Sequence, residues 1–415
     1  MLAVWLPFAQ MIFQVVDSKG LKGAFVPHAK PEFSDSAWFA GDFQQKYEQY
    51  LNDTVGFHQD FIRLRNQIDY SLFDKCHSYD IEVGKNGYLV ATWHIDSHLG
   101  KLRARESRID SLVSMLTQIN DTLNKMNKTL IILFAPSRGS FYKELAPAWY
   151  DLTPVHESDY QRYVRLLSKT NVRYIDYNKS FLENKNKSKY PLFTKCGIHW
   201  SSYGAAVAAD SMVKYIESVR KIDMPDIRFG KIELSKKARG VDDDLNSTLN
   251  LIWDVKNEVM AYPHLLFTKE GKAKVKLLNI GDSFYYGIMG SMVTDEAFDE
   301  YSFWYYNSSI SSNGPNIGKN AKDLSVIAEI KKHDVITLNA TESTLINFGW
   351  GFIEQAWEAL CTYKGSRIMY YMEEIKKDEK WFEQVRQKAA ESNKDVNLQL
   401  QQDANYMFEL EKQKK

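Results

Sequence analysis

A serine in Gly281-Asp282-Ser283-Phe284 and a histidine in Gly197-Ile198-His199-Trp200-Ser201-Ser202-Tyr203-Gly204 are the residues of this chain best suited to acyl-ester chemistry. The serine follows the apolar run Val275-Lys276-Leu277-Leu278-Asn279-Ile280, which has the pattern of a short buried strand. Its hydroxyl is therefore expected on the tight turn leaving that strand. A serine hydroxyl is a poor nucleophile unless a base stands within hydrogen-bond reach. His199, just ahead of an alanine-rich helical stretch, is the candidate base. Asp282 either serves the same chemistry or hydrogen-bonds the turn, as aspartates often do.

The elements that must position these groups are legible as alternating strands and helices. Residues 130–136 read as a central strand, 172–176 and 334–338 as further strands, and 109–126, 158–169 and 205–219 as helices. Such alternation predicts an α/β domain with a mainly parallel sheet. Ligands of open parallel sheets collect at the carboxyl ends of the strands. Arg138, Ser283 and Glu342 all fall there, after residues 130–136, 275–280 and 334–338. Residues 34–75 read as helices, and Asn86-Gly87 between β-prone runs predicts a hairpin. Residues 221–270, with Asp242-Asp243-Asp244 in their middle, read as a loop-rich insertion. From residue 361 to Lys414-Lys415 the chain reads as a charged helical tail.

Composition removes several classes of function. Lysine plus arginine balances aspartate plus glutamate at 53 each, so the basic excess of a nucleic-acid binder is missing. Three scattered cysteines, Cys76, Cys196 and Cys361, have no metal-ligand spacing and no disulfide framework. His94 and His98 stand four apart without a zincin pattern, so no metal or cofactor is expected. The ten Trp and 24 Tyr suit sugar stacking, and equally cores and interfaces. Met1 to Val16 is almost uninterrupted apolar sequence, but at about 24 Å it falls short of the roughly 30 Å hydrocarbon core. No basic residue precedes it and Lys19, Lys22 and Lys30 follow, the reverse of a signal peptide.

Several motifs in order resemble one family. Asp42-Phe43-Gln44 with Gly56-Phe57, Val83-Gly84-Lys85-Asn86-Gly87-Tyr88-Leu89, Ala135-Pro136-Ser137-Arg138 with Tyr142, and Phe193-Thr194-Lys195 leading into His199-Trp200 all precede Gly281-Asp282-Ser283-Phe284. This arrangement resembles the alginate O-acetyltransferase AlgJ/AlgX-like (DHHW-type) family of the SGNH hydrolase superfamily. The resemblance implies a three-layer SGNH-like α/β catalytic domain at 101–360. A membrane-proximal anchor at 1–33, a helical region with a hairpin at 34–100, and a helical appendage at 361–415 would flank it. It implies that Ser283 is the nucleophile and forms an acetyl-enzyme, and that His199 is base and then acid. Arg138, Tyr142, Trp200 and Glu342 become candidate contacts to a polysaccharide substrate. It further implies a membrane-bound O-acyltransferase partner and a periplasmic location, tethered to the inner membrane by the N-terminal segment.

One position departs from the family pattern. Where the Asp-X-His-Trp motif carries the aspartate that orients the histidine, this chain has Gly197. A backbone carbonyl could orient the imidazole, or a carboxylate from elsewhere, such as Asp176, Asp282 or Glu342, could substitute. Alternatively the protein is a non-catalytic glycan-binding subunit. A carbohydrate esterase is the rival within enzymes, because it shares the acetyl-enzyme and differs only in the attacking hydroxyl.

Overall fold

Apolar residues on both faces of the same strands dictate the architecture. In the computed structural model, which describes residues 2–23 and 26–413, the strands in chain order are β1 (Ile81–Val83), β2 (Leu89–Ala91), β3 (Thr129–Ala135), β4 (Arg173–Asp176), β5 (Asp226–Ser235), β6 (Met260–Thr268), β7 (Lys276–Gly281), β8 (Glu300–Tyr305), β9 (Ser309–Ser312), β10 (Asn316–Asn320) and β11 (Val335–Thr341). Met1 and the terminal Lys414-Lys415 pair, both part of the sequence reading above, lie outside the described residues. Seven strands form a central mixed sheet in the order β10-β9-β8-β7-β11-β3-β4. From β4 to β8 all neighbours are parallel, whereas β9 and β10 extend the β8 edge antiparallel.

Alternation along the strands sorts the core into two layers. Ile131, Leu133, Leu277, Phe303 and Val335 face the helix Ser202–Arg220, meeting its Ala205, Ala208, Met212 and Ile216. Ile132, Phe134, Leu278, Ile280 and Leu338 face the helices Glu106–Lys125 and Phe352–Cys361. The result is an SGNH-hydrolase-like α/β fold with helical extensions at both ends. The C-terminal extension, helices Tyr363–Lys377, Glu379–Glu391 and Val396–Gln413, packs around its own core of Ile368, Met372, Val385, Leu400 and Phe408.

Two expectations change here. Residues 221–270 are less irregular than their polarity implied, because β5 and β6 pair as a long antiparallel arm. Only one face of that arm is packed, so its alternation is diluted by exposed charged residues. Between its strands the chain passes through a short helical turn, Gly240–Asp243, into the helix Asp244–Thr248.

The second change is a correction. The first helix, Leu2–Phe13, has only 12 residues, about 18 Å at helical rise against a hydrocarbon core of roughly 30 Å. It ends where Gln14 turns left-handed, with Val16 N–H donating to the Gln10 side chain at 3.1 Å. Among the described residues no helix is long and apolar enough to cross a membrane. The expected inner-membrane anchor is therefore withdrawn, together with the membrane-bound O-acyltransferase partner and the tethered periplasmic location that depended on it.

Candidate active site

Ser283 leaves the carboxyl end of β7, and His199 sits in the loop before the helix Ser202–Arg220. The two loops meet. His199 Nε2 lies 2.8 Å from Ser283 Oγ. On the other side of the ring, Nδ1 lies 2.5 Å from Asp244 Oδ2. A carboxylate on Nδ1 fixes the proton there and leaves Nε2 free to accept the serine's proton. Asp244 is itself held, since its Oδ1 accepts the Ile198 N–H at 2.7 Å. The ring of Phe284 backs the imidazole at 4.8 Å.

None of the three carboxylates weighed from sequence reaches the imidazole. Asp176 accepts from the Tyr160 hydroxyl and caps a helix through Lys179 N–H. Glu342 is buried, with Oε1 3.7 Å from His98 Nδ1. Asp282 is also buried and accepts four hydrogen bonds, from Asn339 Nδ2, Phe284 N–H, Thr341 N–H and Thr344 Oγ1. Burial raises its pKa and these donors pull the other way. Its carboxylate thus braces the serine turn against β11. The partner that sequence reasoning missed, Asp244, belongs to the aspartate triplet of the insertion. All three members of that triplet are engaged: Asp242 binds Ser202 N–H and hydroxyl, Asp243 binds Asn246 and Asn257, and Asp244 binds His199.

Gly197 shows why the carboxylate comes from elsewhere. A Cβ at that position would stand 2.6 Å from Thr194 Oγ1 and 2.8 Å from the Val241 carbonyl oxygen. The segment carrying Asp244 occupies the space a side chain would need.

Arg138 lies at the base of this loop, 0% exposed, and is not placed to touch a glycan. Its guanidinium donates to the carbonyls of Leu89, Thr194, Gly197 and Lys195 at 2.5–2.6 Å. Its charge is balanced by carbonyl dipoles and the rings of Tyr88 and Tyr142, and burial lowers its pKa. Tyr142 donates to the Phe193 carbonyl at 3.2 Å. Trp200, also 0% exposed, donates its Nε1–H to the Phe284 carbonyl at 3.1 Å, tying the histidine loop to the serine turn. Arg138, Tyr142 and Trp200 therefore support the loops from within. Cys196 is buried, and desolvation pushes its thiol up to about 12, so it offers no thiolate.

Tyr306 is a further polar group at the serine that the sequence did not single out. It follows β8, with its N–H donating to the Gly281 carbonyl at 2.9 Å, and has its pKa raised chiefly by burial, with the Asp282 charge adding to the effect. Its register could have flagged it, because its neighbour Tyr305 pairs with Gly281 at the same sheet edge. Among the described residues no group of three or more His, Cys, Asp or Glu could hold a metal ion.

Fold and site together define an SGNH-hydrolase-like α/β protein with a serine, a histidine and an aspartate in hydrogen-bonded series. Residues 81–258 match the family described as "SGNH hydrolase-like domain, acetyltransferase AlgX", a family-level match to AlgJ/AlgX/DHHW-type SGNH-hydrolase-related proteins. The matched stretch includes His199 and Asp244 and ends before Ser283. The chain thereby has family-level similarity to O-acetyltransferase domains. Among solved structures it is similar to the O-acetyltransferase domain of Pseudomonas putida AlgJ, with 14% identity over 67% of this chain and 99% of that one, at TM-score 0.42. It is similar also to a DHHW family protein from Eubacterium siraeum, with 12% identity over 66% and 94% of the two chains, at TM-score 0.43. For Bacillus cereus PatB1 the values are 13% identity, 66% and 98% coverage, and TM-score 0.41. Comparison with curated proteins returns no match.

Three outcomes follow from this geometry. Gly197→Asp, which would restore the family motif, should lower ester turnover at least tenfold, because its Cβ collides with the Val241 backbone; a gain in turnover would contradict the account. Arg138→Met should cost more than about 3 kcal/mol in denaturant unfolding, since each buried acceptor stripped of its donor costs about 1–3 kcal/mol. The third concerns His94, which is buried between Ser137 and Ser343 and whose pKa is lowered to about 3, mainly by desolvation. The unfolded chain takes up a proton there near the ordinary value of 6.5, and the folded chain does not. Stability should therefore be full above that value and decline as pH falls toward about 3. Urea titrations of wild type and His94→Gln across that range should show a shallower decline in the variant.

Proposed function

We propose that this protein is a polysaccharide O-acetyltransferase that works through an acetyl-serine intermediate. The observation that carries the proposal is the unbroken series Asp244–His199–Ser283, with contacts of 2.5 and 2.8 Å. In the first half-reaction Ser283 Oγ attacks the acetyl carbonyl carbon while His199 Nε2 takes the hydroxyl proton. Asp244 stabilises the imidazolium that forms. The negative charge on the carbonyl oxygen falls toward the Ser283 backbone N–H. Collapse expels the donor's alcohol, which leaves with the proton from His199. In the second half-reaction a sugar hydroxyl gives its proton to His199 and attacks the acetyl-enzyme; collapse breaks the bond to Ser283 Oγ, which takes the proton back from His199, and the acetylated saccharide is released.

The reading of a non-catalytic subunit rested on Gly197, and Asp244 on the imidazole removes that ground. Water in place of the sugar hydroxyl would make the same machinery a carbohydrate esterase. The test is turnover of p-nitrophenyl acetate by the purified chain with oligosaccharide acceptors present, followed by mass spectrometry of the sugars. Ser283→Ala and His199→Ala should fall to background, and Asp244→Asn should lose up to about 10⁴, as loss of the orienting carboxylate does in serine protease triads. Acetylated oligosaccharide is the expected product. Undiminished turnover in Ser283→Ala would overturn the proposal, and free acetate with every acceptor would convert it to the esterase.

A further inference from the structure

Four aromatic side chains run in continuous contact along the carboxyl edge of the sheet, past the serine. Tyr286, in the short helix Tyr285–Gly290 that follows the serine turn, packs on Tyr305 with ring centroids 5.4 Å apart. Tyr305 meets Tyr306 at 4.2 Å, and Tyr306 meets Trp350 at 5.0 Å. They come from three separate segments, following β7, ending β8 and following β11. None is fully buried, and Tyr286 is 38% exposed. Tyr305 and Trp350 each pack one side against a core layer and Tyr286 packs on the buried Phe303, while all four keep part of their surface open.

The backbone carrying the row is left-handed at two turns, the β8–β9 hairpin turn and the turn before the helix Phe352–Cys361. Tyr306 and Asn307 have φ near 51°, and Trp350 has φ 45° between two left-handed glycines. Bulky residues seldom adopt that region, and where they do the surroundings hold them there, commonly at binding or catalytic sites. The two turns are tied together by Asn307 Nδ2, which donates to the Trp350 carbonyl at 3.1 Å.

Charge narrows the ligand. Residues 281–291, 304–310 and 341–352, which carry the row, contain no lysine or arginine. Their only acidic residues, Asp282 and Glu342, are buried. Arg138, the cation that might have met a polyanion, spends its donors on backbone carbonyls. A row of rings offers an apolar face with hydroxyls at its rim, which matches the C–H face and hydroxyl edge of a pyranose. The row's own segments offer a uronate chain no counter-charge, and Arg239, which lines a cavity with Tyr286, is paired with Glu233.

We infer that Tyr286, Tyr305, Tyr306 and Trp350 form a saccharide-binding strip that lays a neutral pyranose chain across Ser283, in preference to a polyuronate. The inference rests on the acyl-transfer reading of Ser283 for its purpose and not for its binding test. That test is calorimetric titration of the full-length Ser283→Ala protein, which keeps all four rings, with cellohexaose, β-1,4-mannohexaose, maltohexaose and hexagalacturonate. At least one neutral hexasaccharide should bind tenfold or more tightly than hexagalacturonate. Adding Trp350→Ala should weaken that binding at least tenfold. Adding Tyr286→Ala, a more exposed change on the other end of the strip, serves where the tryptophan variant does not fold, and should weaken binding at least threefold. The strip is overturned if no neutral hexasaccharide binds, if hexagalacturonate binds as tightly, or if the folded variants keep full affinity. Small-ester turnover by wild type judges the acyl-transfer reading separately. Turnover without saccharide binding removes the strip alone, and binding without turnover removes the acetyl-enzyme alone.

Discussion

The structure depends on one imidazole held from both sides. His199 is useful only while its Nδ1 faces a carboxylate and its Nε2 faces Ser283, and these partners come from segments far apart in the chain. Holding a loop in place against two others is a problem of backbone accounting, since every turn that leaves the regular ladder strands donors and acceptors. Here a single buried guanidinium gathers the stranded carbonyls of residues 194, 195 and 197 and ties them to Leu89. The Trp200 indole then joins the histidine loop to the serine turn. Asp242 adds a third tie, binding the first helical N–H of Ser202–Arg220, where the helix dipole favours a negative charge.

The sheet supplies the rigid edge against which these loops close. β7 and β11 are central strands, buried throughout their apolar runs, so the turns that leave them have fixed origins. Asp282 extends that rigidity by binding across to Asn339, Thr341 and Thr344 of the β11 end. Its neighbour Ser283 is thereby presented from a turn that cannot easily rotate. The division of labour between adjacent residues is clear: one carboxylate braces, and the hydroxyl beside it is left for chemistry.

The sheet and its flanking helices were legible because their signals are local: apolar runs at 130–136 and 275–280 and helical spacing at 109–126. Ser283 and His199 were legible for the same reason, each standing at a recognisable strand end or helix start. Asp244 was not. Its role comes from a contact across 45 residues, and a run of three aspartates in a polar stretch gives no sign of which one faces inward. Arg138 was read as a glycan contact from its place at a strand end and from the family resemblance, and nothing local announces the four carbonyls that converge on it. The N-terminal anchor was expected from the family resemblance, whereas the first helix, Leu2–Phe13, is too short to cross a membrane.

The most direct measurement of the central claim is acid-quenched peptide mapping of the protein during turnover of p-nitrophenyl acetate. The account predicts an acetyl group on the peptide bearing Ser283, accumulating in wild type and absent from His199→Ala. An acetyl group on another residue, or equal Ser283 labelling without the imidazole, would contradict it.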